Sequence, residues 1–295
     1  RPRPRSEPRP ADAARGGVRG RVAHFPRYGH RVTRRRTHAL IDLDGTLTDS
    51  FPAITGALKC ALADVGLPIP ADEELRAVVG PPFELGLPLV GVPRARLREV
   101  IDRYRVHYEG GWLFRCELFP GVTEMLADLV DAGVTLSLAT AKPEPTAVRI
   151  VRHFGLDRYF AVLAGATYEP GRRTKDEVIT HALHHLGTTA GPHVVMVGDR
   201  DHDVHGAGVH GIDCIGVLWG YGGAEELTSA GAVALAATPA DVVALVTGRP
   251  LAGDVHGALG PVSVDGDGTP SVDGDAEVTA PRTSALGAHR RGSLA

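Results

Sequence analysis

Cysteine is scarce: the 295 residues hold three, Cys60, Cys116 and Cys214, odd in number and far apart. That count excludes a disulfide framework and gives no metal-type or redox-type pairing, so each thiol reads as structural filling and a reducing, cytoplasmic setting is expected. Long apolar runs are missing too. None approaches the ~18 residues that suggest a membrane span, and the start lacks the apolar stretch of a signal peptide. The chain begins on Arg rather than Met, so its start is expected to be trimmed or arbitrary.

Cationic charge is missing from most of the chain. Residues 1–37 carry 12 Arg against Glu7 and Asp12, a net of +10, which leaves −13 for the rest of a chain whose total is −3. An acidic body excludes the usual footprint of a nucleic-acid binder, and it repels anionic substrates unless cations are supplied locally. What is present is ordinary soluble material, 43% hydrophobic and 23% charged, enough for a sizeable core.

The two ends read as flexible. "RPRPRSEPRPADAARGGVRG" is rich in Pro, Arg and Gly without apolar periodicity, and a solvated arm is preferred over a nucleic-acid or membrane contact or a transit peptide. Its prolines count against an amphipathic targeting helix. Beyond residue 248 the chain fills with Gly, Pro, Asp and Ser. The echo "SVDGDGTP" and "SVDGDAEV" fails as an EF-hand: counted from Asp265, position six is Pro270 and position twelve is Ala276, where Gly and Glu are needed.

Between the ends, short apolar runs alternate with helical patterns. Strands are expected at 38–42, 134–140, 161–166, 193–199 and 214–219. "GVTEMLADLVDAG", "PTAVRIVRHFG", "KDEVITHALHHLG" and "DVHGAGVHG" read as the intervening helices. This rhythm predicts an α/β fold with a Rossmann-like parallel sheet covered on both faces. Residues 51–119 break it: they read as several helices with no convincing strand, an inserted subdomain. The expected organisation is a basic arm (1–37), an α/β core (38–50 and 120–247), the helical insertion (51–119) and a tail (248–295).

The chemistry lies at predicted strand ends, where parallel sheets bind ligands. "HALIDLDGTLTDS" places Asp42 at the end of the first strand and Asp44 two residues on. Two carboxylates ~4 Å apart repel by ~4 kcal/mol at an effective dielectric near 20, so a proton or a cation must stand between them. "VVMVGDRDHDV" adds Asp199, Asp201 and Asp203 at the fourth strand end. Oxygen ligands without His or Cys describe a Mg²⁺ site rather than zinc. Thr140 in "LSLATAK" and Lys175 at a helix start supply the anion-binding side.

In that order, "DLDGTLTDS", "LATAK", the helix-start Lys and "GDRDHDV" resemble the haloacid dehalogenase-like hydrolases, in the branch of phosphoglycolate phosphatases and nucleotidases, over roughly 38–247. The resemblance implies a helical cap at 51–119 and a Mg²⁺-dependent phosphatase of small phosphorylated metabolites. Asp42 would be the nucleophile, forming an aspartyl-phosphate, and Asp44 the general acid and base. Asp42, the main-chain carbonyl of Asp44, and Asp199 would hold Mg²⁺, with Asp203 in support. Thr140 and Lys175 would bind the phosphoryl group. Asp44 speaks against a dehalogenase, and the absence of a Lys-Thr pair after the nucleophile speaks against the superfamily's phosphate-transferring ATPases. A phosphosugar mutase, a protein-tyrosine phosphatase and a non-catalytic phosphate-binding protein are the alternatives.

Other residues carry plainer expectations. Asp49 and Ser50 read as a helix N-cap. Asp201 reads as a solvated loop residue, and His202, His205 and His210 as surface or hydrogen-bonding groups. Tyr104, Tyr108 and Trp112 read as core, and Arg115 has no assigned place. Phe83, after "GPP", is the best possible cap contact to substrate. Lys142 is open between a surface or helix-capping role and a contact to substrate or the acidic rim. Oligomeric state and substrate identity are not legible.

Overall fold

The computed structural model describes residues 35–251 except 81, 169 and 170; residues 1–34 of the arm and the tail from 252 on lie outside the described residues. The chain enters through β1 (His38–Ile41), turns into the short β2 (Thr48–Asp49), and runs through α1 (Phe51–Asp64), α2 (Asp72–Leu75), α3 (Phe83–Leu89) and α4 (Leu97–His107). It returns along β3 (Glu117–Leu118) into α5 (Val122–Asp131), β4 (Thr135–Pro143), α6 (Glu144–His153), β5 (Phe160–Ala166) and α7 (Lys175–Leu186). Then follow β6 (Val194–Gly198), α8 (Asp201–Val209), β7 (Asp213–Val217), α9 (Ala224–Ala230), β8 (Ala234–Ala236) and α10 (Pro239–Thr247).

Six strands form one parallel sheet in the order β5-β4-β1-β6-β7-β8, an α/β fold of Rossmann type as the alternating pattern predicts. Strand β1 is central: Ile41 is level with Leu138 on β4 and Val197 on β6, so residues just past these three strands converge. Successive side chains of a strand face opposite ways. Accordingly Ile41 joins a core with Leu126, Ile150 and Val242, while Leu40 joins a second core with Val178, Ile179 and Val204. The near-continuous apolar runs of the central strands follow from burial on both faces. Among the described residues no helix is long and apolar enough to cross a membrane.

The structure adds elements the periodicity did not predict. Strands β2 and β3 pair antiparallel at the two ends of the helical segment, and at two residues each they are too short to show alternation. Strand β8 is likewise three residues, "ALA", with no β-branched side chain to announce it. Arg36 is buried, its guanidinium 2.6 Å from Asp213, and its main-chain N–H donates to Val246. The three cysteines are free, Cys116 and Cys214 buried and Cys60 half-buried.

Candidate active site

Asp42 follows β1, and its N–H donates to the Val197 carbonyl of β6 (3.0 Å), which pins it to the sheet's carboxyl end. Asp199 follows β6, and Asp203 lies in the first turn of α8. All three are buried, and one carboxylate oxygen from each lies within 4.8 Å of the others. Lys175 reaches this group from the start of α7, whose entry is fixed by Glu177 accepting from the N–H groups of Arg173 and Thr174 (2.7 and 3.1 Å). Gly206 of α8 makes room: a Cβ there would lie 2.6 Å from the Lys175 side chain. The Lys175 ammonium donates to Asp42 (2.8 Å) and to the Ala139 carbonyl (2.9 Å), and sits 2.7 Å from Asp203.

One buried ammonium thus faces three buried carboxylates. Burial pushes the Asp42 carboxyl up to about 6 against the opposing pull of Lys175, and burial with Asp203 and Asp42 nearby pushes Asp199 well above the carboxylate range. Lys175 is raised despite burial, because Asp203 and Asp42 favour its charge. Anionic oxygen donors, undercompensated and free of His or Cys, are what a hard divalent cation takes.

The turn after β1 fits against this cluster. Gly45 has φ +87°, and a Cβ there would lie 2.2 Å from an Asp199 oxygen, so position 45 needs both the left-handed backbone and the missing side chain. Thr46 donates to Asp199 Oδ1 (3.3 Å), and the Tyr221 N–H donates to Oδ2 (2.7 Å). The Tyr221 hydroxyl donates to Asp49 (3.0 Å) and accepts from the N–H groups of Ser50 and Phe51 (2.7 and 2.9 Å). Helix α1 is therefore capped largely from a remote loop. Asp49 accepts from Phe51 N (3.2 Å) as expected of a cap, whereas Ser50 spends its hydroxyl on Thr48 (2.8 Å).

Asp44 turns away from the three-carboxylate cluster. Both its oxygens accept from the Lys142 ammonium, at 3.0 and 2.8 Å. Lys142 is only 8% exposed, which removes the surface role from consideration. Burial disfavours its charge, yet Asp44 outweighs that and holds its pKa above the ordinary lysine range. The ammonium also lies 5.1 Å from the ring centre of Tyr108, which extends α4 toward the site. Thr140 is buried within the carboxyl-terminal half of β4 and accepts from Lys142 N (3.2 Å).

A cleft of about 170 Å³ opens beside Asp44 between the helical segment and the sheet. Phe83, Tyr104, Tyr108 and Arg105 line it on one side, Lys142, Thr146 and Tyr168 on the other. Phe83 packs edge-on to Tyr104 at 4.5 Å, and Tyr104 stacks on Tyr108 at 5.2 Å. Ion pairs Arg173–Glu84 and Arg149–Glu109 cross the cleft, and Arg200 donates to the Val79 carbonyl (2.6 Å).

The structure thus brings Asp42, Asp199, Asp203 and Lys175 into one cluster, sets Asp44 beside it on Lys142, places Thr140 in the adjoining strand β4, and puts Phe83 in the cleft wall. Asp201 is half-buried and directs its N–H to Glu226 (3.0 Å), and the ring of His210 reaches the Asp176 carbonyl (2.9 Å). Sequence reasoning left out Tyr221, Thr46 and Tyr108 as site residues. Of these only Thr46 falls inside a quoted motif, "DLDGTLTDS"; Tyr108 and Tyr221 carry none, and Lys142 is flagged by the "TAK" within β4.

Comparison with known proteins agrees with this geometry. Residues 39–217 match the family model described as haloacid dehalogenase-like hydrolase. The chain is 45% identical over 202 residues to tyrosine-protein kinase PtkA of Mycobacterium tuberculosis, 68% of each chain. It is 39% identical over 194 residues to a 5'-nucleotidase of Pseudomonas aeruginosa, covering 65% of this chain and 87% of that one. A predicted phosphatase from Clostridium acetobutylicum superposes with a TM-score of 0.67 at 31% identity, over 71% of this chain and 97% of that structure. With the family model spanning well over half of its length and the acidic cluster at the sheet's carboxyl end, the chain belongs to the haloacid dehalogenase-like hydrolases.

Proposed function

We propose that the protein is a Mg²⁺-dependent, cytoplasmic phosphatase of small phosphomonoesters, of the phosphoglycolate or nucleoside 5'-monophosphate kind, acting through an aspartyl-phosphate. The observation that carries this reading is the single buried Lys175 among Asp42, Asp199 and Asp203. That charge imbalance suits a dication and, beside it, a phosphoryl group. Bound there by Asp42, Asp199 and the Asp44 carbonyl, with Asp203 in support, Mg²⁺ would offset charge on both nucleophile and phosphate.

The rest falls to the chain's own groups. Asp42, held against Val197 and by Lys175, attacks phosphorus in line with the ester oxygen. Lys175 and Thr140 hold the phosphoryl oxygens, and Lys175 keeps Asp42 from rotating away. Asp44, oriented through both oxygens by Lys142, gives a proton to the departing alkoxide and then takes one from the water that cleaves the acyl phosphate. In this reading residues 51–119 act as a cap on the 38–50 and 120–247 core, and closure excludes bulk water from the cleft.

The test is a panel of phosphomonoesters assayed with Mg²⁺ and with chelator. Turnover is expected only with the metal, and Asp42→Asn is expected to lower it by at least about a thousandfold while circular dichroism stays native. Wild-type rates in Asp42→Asn would remove the nucleophile assignment. The similarity to PtkA favours a second reading, phosphoryl transfer from a nucleoside triphosphate to a tyrosine. Labelled ATP decides it: label on protein tyrosine without release of free phosphate supports transfer, and free phosphate from monoesters supports hydrolysis.

A further inference from the structure

The catalytic roles leave two buried groups of the cleft unexplained. Lys142 has three N–H donors, and both oxygens of Asp44 accept from it. Tyr108 is 4% exposed, and its hydroxyl is buried beside the Lys142 ammonium, itself only a donor, with no acceptor for the hydroxyl proton among the described residues. Hydroxyls removed from water are nearly always paired, so an orphan one at a cleft wall calls for an acceptor that arrives from outside. Both groups line the same cleft as Asp44, and the ammonium lies 5.1 Å from the Tyr108 ring centre.

We infer that Lys142 and Tyr108 form a subsite for an oxyanion carried by the alcohol half of the substrate, one or two carbons from the ester oxygen. The inference rests on the phosphomonoesterase reading and names the part of the substrate that reading leaves open. The ester oxygen must come within hydrogen-bond reach of Asp44 to receive its proton. Lys142 is already 2.8 Å from Asp44, so a substituent on the neighbouring carbon falls beside the ammonium and the Tyr108 hydroxyl. An ammonium offers donors only, and the Tyr108 proton lacks an acceptor. A carboxylate, with two oxygens, satisfies both, and a charge-assisted bond to the ammonium favours it over a neutral hydroxyl. Tyr108 belongs to the helical segment and Lys142 to β4, so seating this group draws the two sides of the cleft together.

Three substrates of matched size test it: 2-phosphoglycolate, 2-hydroxyethyl phosphate and ethyl phosphate. The wild type is expected to favour the carboxylate over the other two by at least about tenfold in kcat/KM, one charge-assisted hydrogen bond's worth. Tyr108→Phe is expected to remove most of that preference through KM while leaving ethyl phosphate turnover within about twofold. Lys142→Arg keeps the charge and is expected to retain a preference that Lys142→Gln loses. Calorimetry on Asp42→Asn reads binding without chemistry and is expected to give the same ranking, which also covers a Tyr108→Phe protein that folds poorly. Turnover of all three esters without preference, or a preference that Tyr108→Phe leaves intact, overturns the subsite alone. No turnover of any ester with Mg²⁺ overturns the underlying reading and the subsite with it.

Discussion

Two acidic groups stand a few residues apart in the chain and meet different fates. Asp42 joins Asp199 and Asp203 around Lys175, all held by the parallel sheet and the helices on it. Asp44 is held by Lys142, which in turn lies against Tyr108 of the helical segment. The first cluster is undercompensated and calls for a cation. The second is a matched ion pair beside a buried tyrosine hydroxyl whose proton has no acceptor among the described residues. On the proposed function, one side of the site would take the phosphoryl group and the other what leaves it.

The comparison breaks most visibly at its two lysines. Lys175→Met leaves Asp42 and Asp203 buried without their ammonium. It is expected to cost about 3–5 kcal/mol in metal-free protein, the usual penalty for breaking a buried ion pair, and at least about a hundredfold in kcat. Lys142→Met removes the partner of one carboxylate and is expected to cost less stability and to lower kcat only about tenfold. Urea melts and kinetics on both variants check this; equal losses at the two positions would erase the distinction drawn between the sides.

The next test is pH. Asp42 is raised from 3.8 to about 6 by burial, so the native metal-free protein holds that proton more tightly than the unfolded chain does. Stability from this group is present below about pH 4 and is lost as pH rises through about 6, on the order of 3 kcal/mol in all. Mg²⁺ is expected to flatten the slope. Unfolding curves with chelator between about pH 4 and pH 7 that climb with pH would contradict the charge imbalance.

The smallest effect is expected at the link between the regions. Tyr221→Phe removes three hydrogen bonds at the start of α1 but keeps the main-chain bond to Asp199. A loss of about 1–2 kcal/mol is expected, with Mg²⁺ affinity by calorimetry nearly unchanged. A large drop in affinity would show that the hydroxyl serves the metal side as well.

The cluster around Lys175 was legible because each of its residues sits just past a strand end or at a helix start inside a contiguous motif. Asp42 and Asp199 follow apolar runs that burial on both faces imposes, and Lys175 opens a helix with its own capping signal. The other side was not. Nothing in "RYRVHYEG" distinguishes Tyr108 from an ordinary core aromatic, and Tyr221 stands in a glycine-rich loop 170 residues from Phe51, the first residue of the helix it caps. Their roles come from approach in space, to which no local pattern refers.

The amino-acid order alone determined the alternation of buried strands and helices, the position of each acidic group at a strand's carboxyl end, and the interruption by a helical segment, because hydrophobic period and turn chemistry are local properties. Only the tertiary structure decided which carboxylates share a lysine and which one is drawn aside. It also decided which aromatic closes the cleft, because these are fixed by the register of neighbouring strands and by the packing of distant segments.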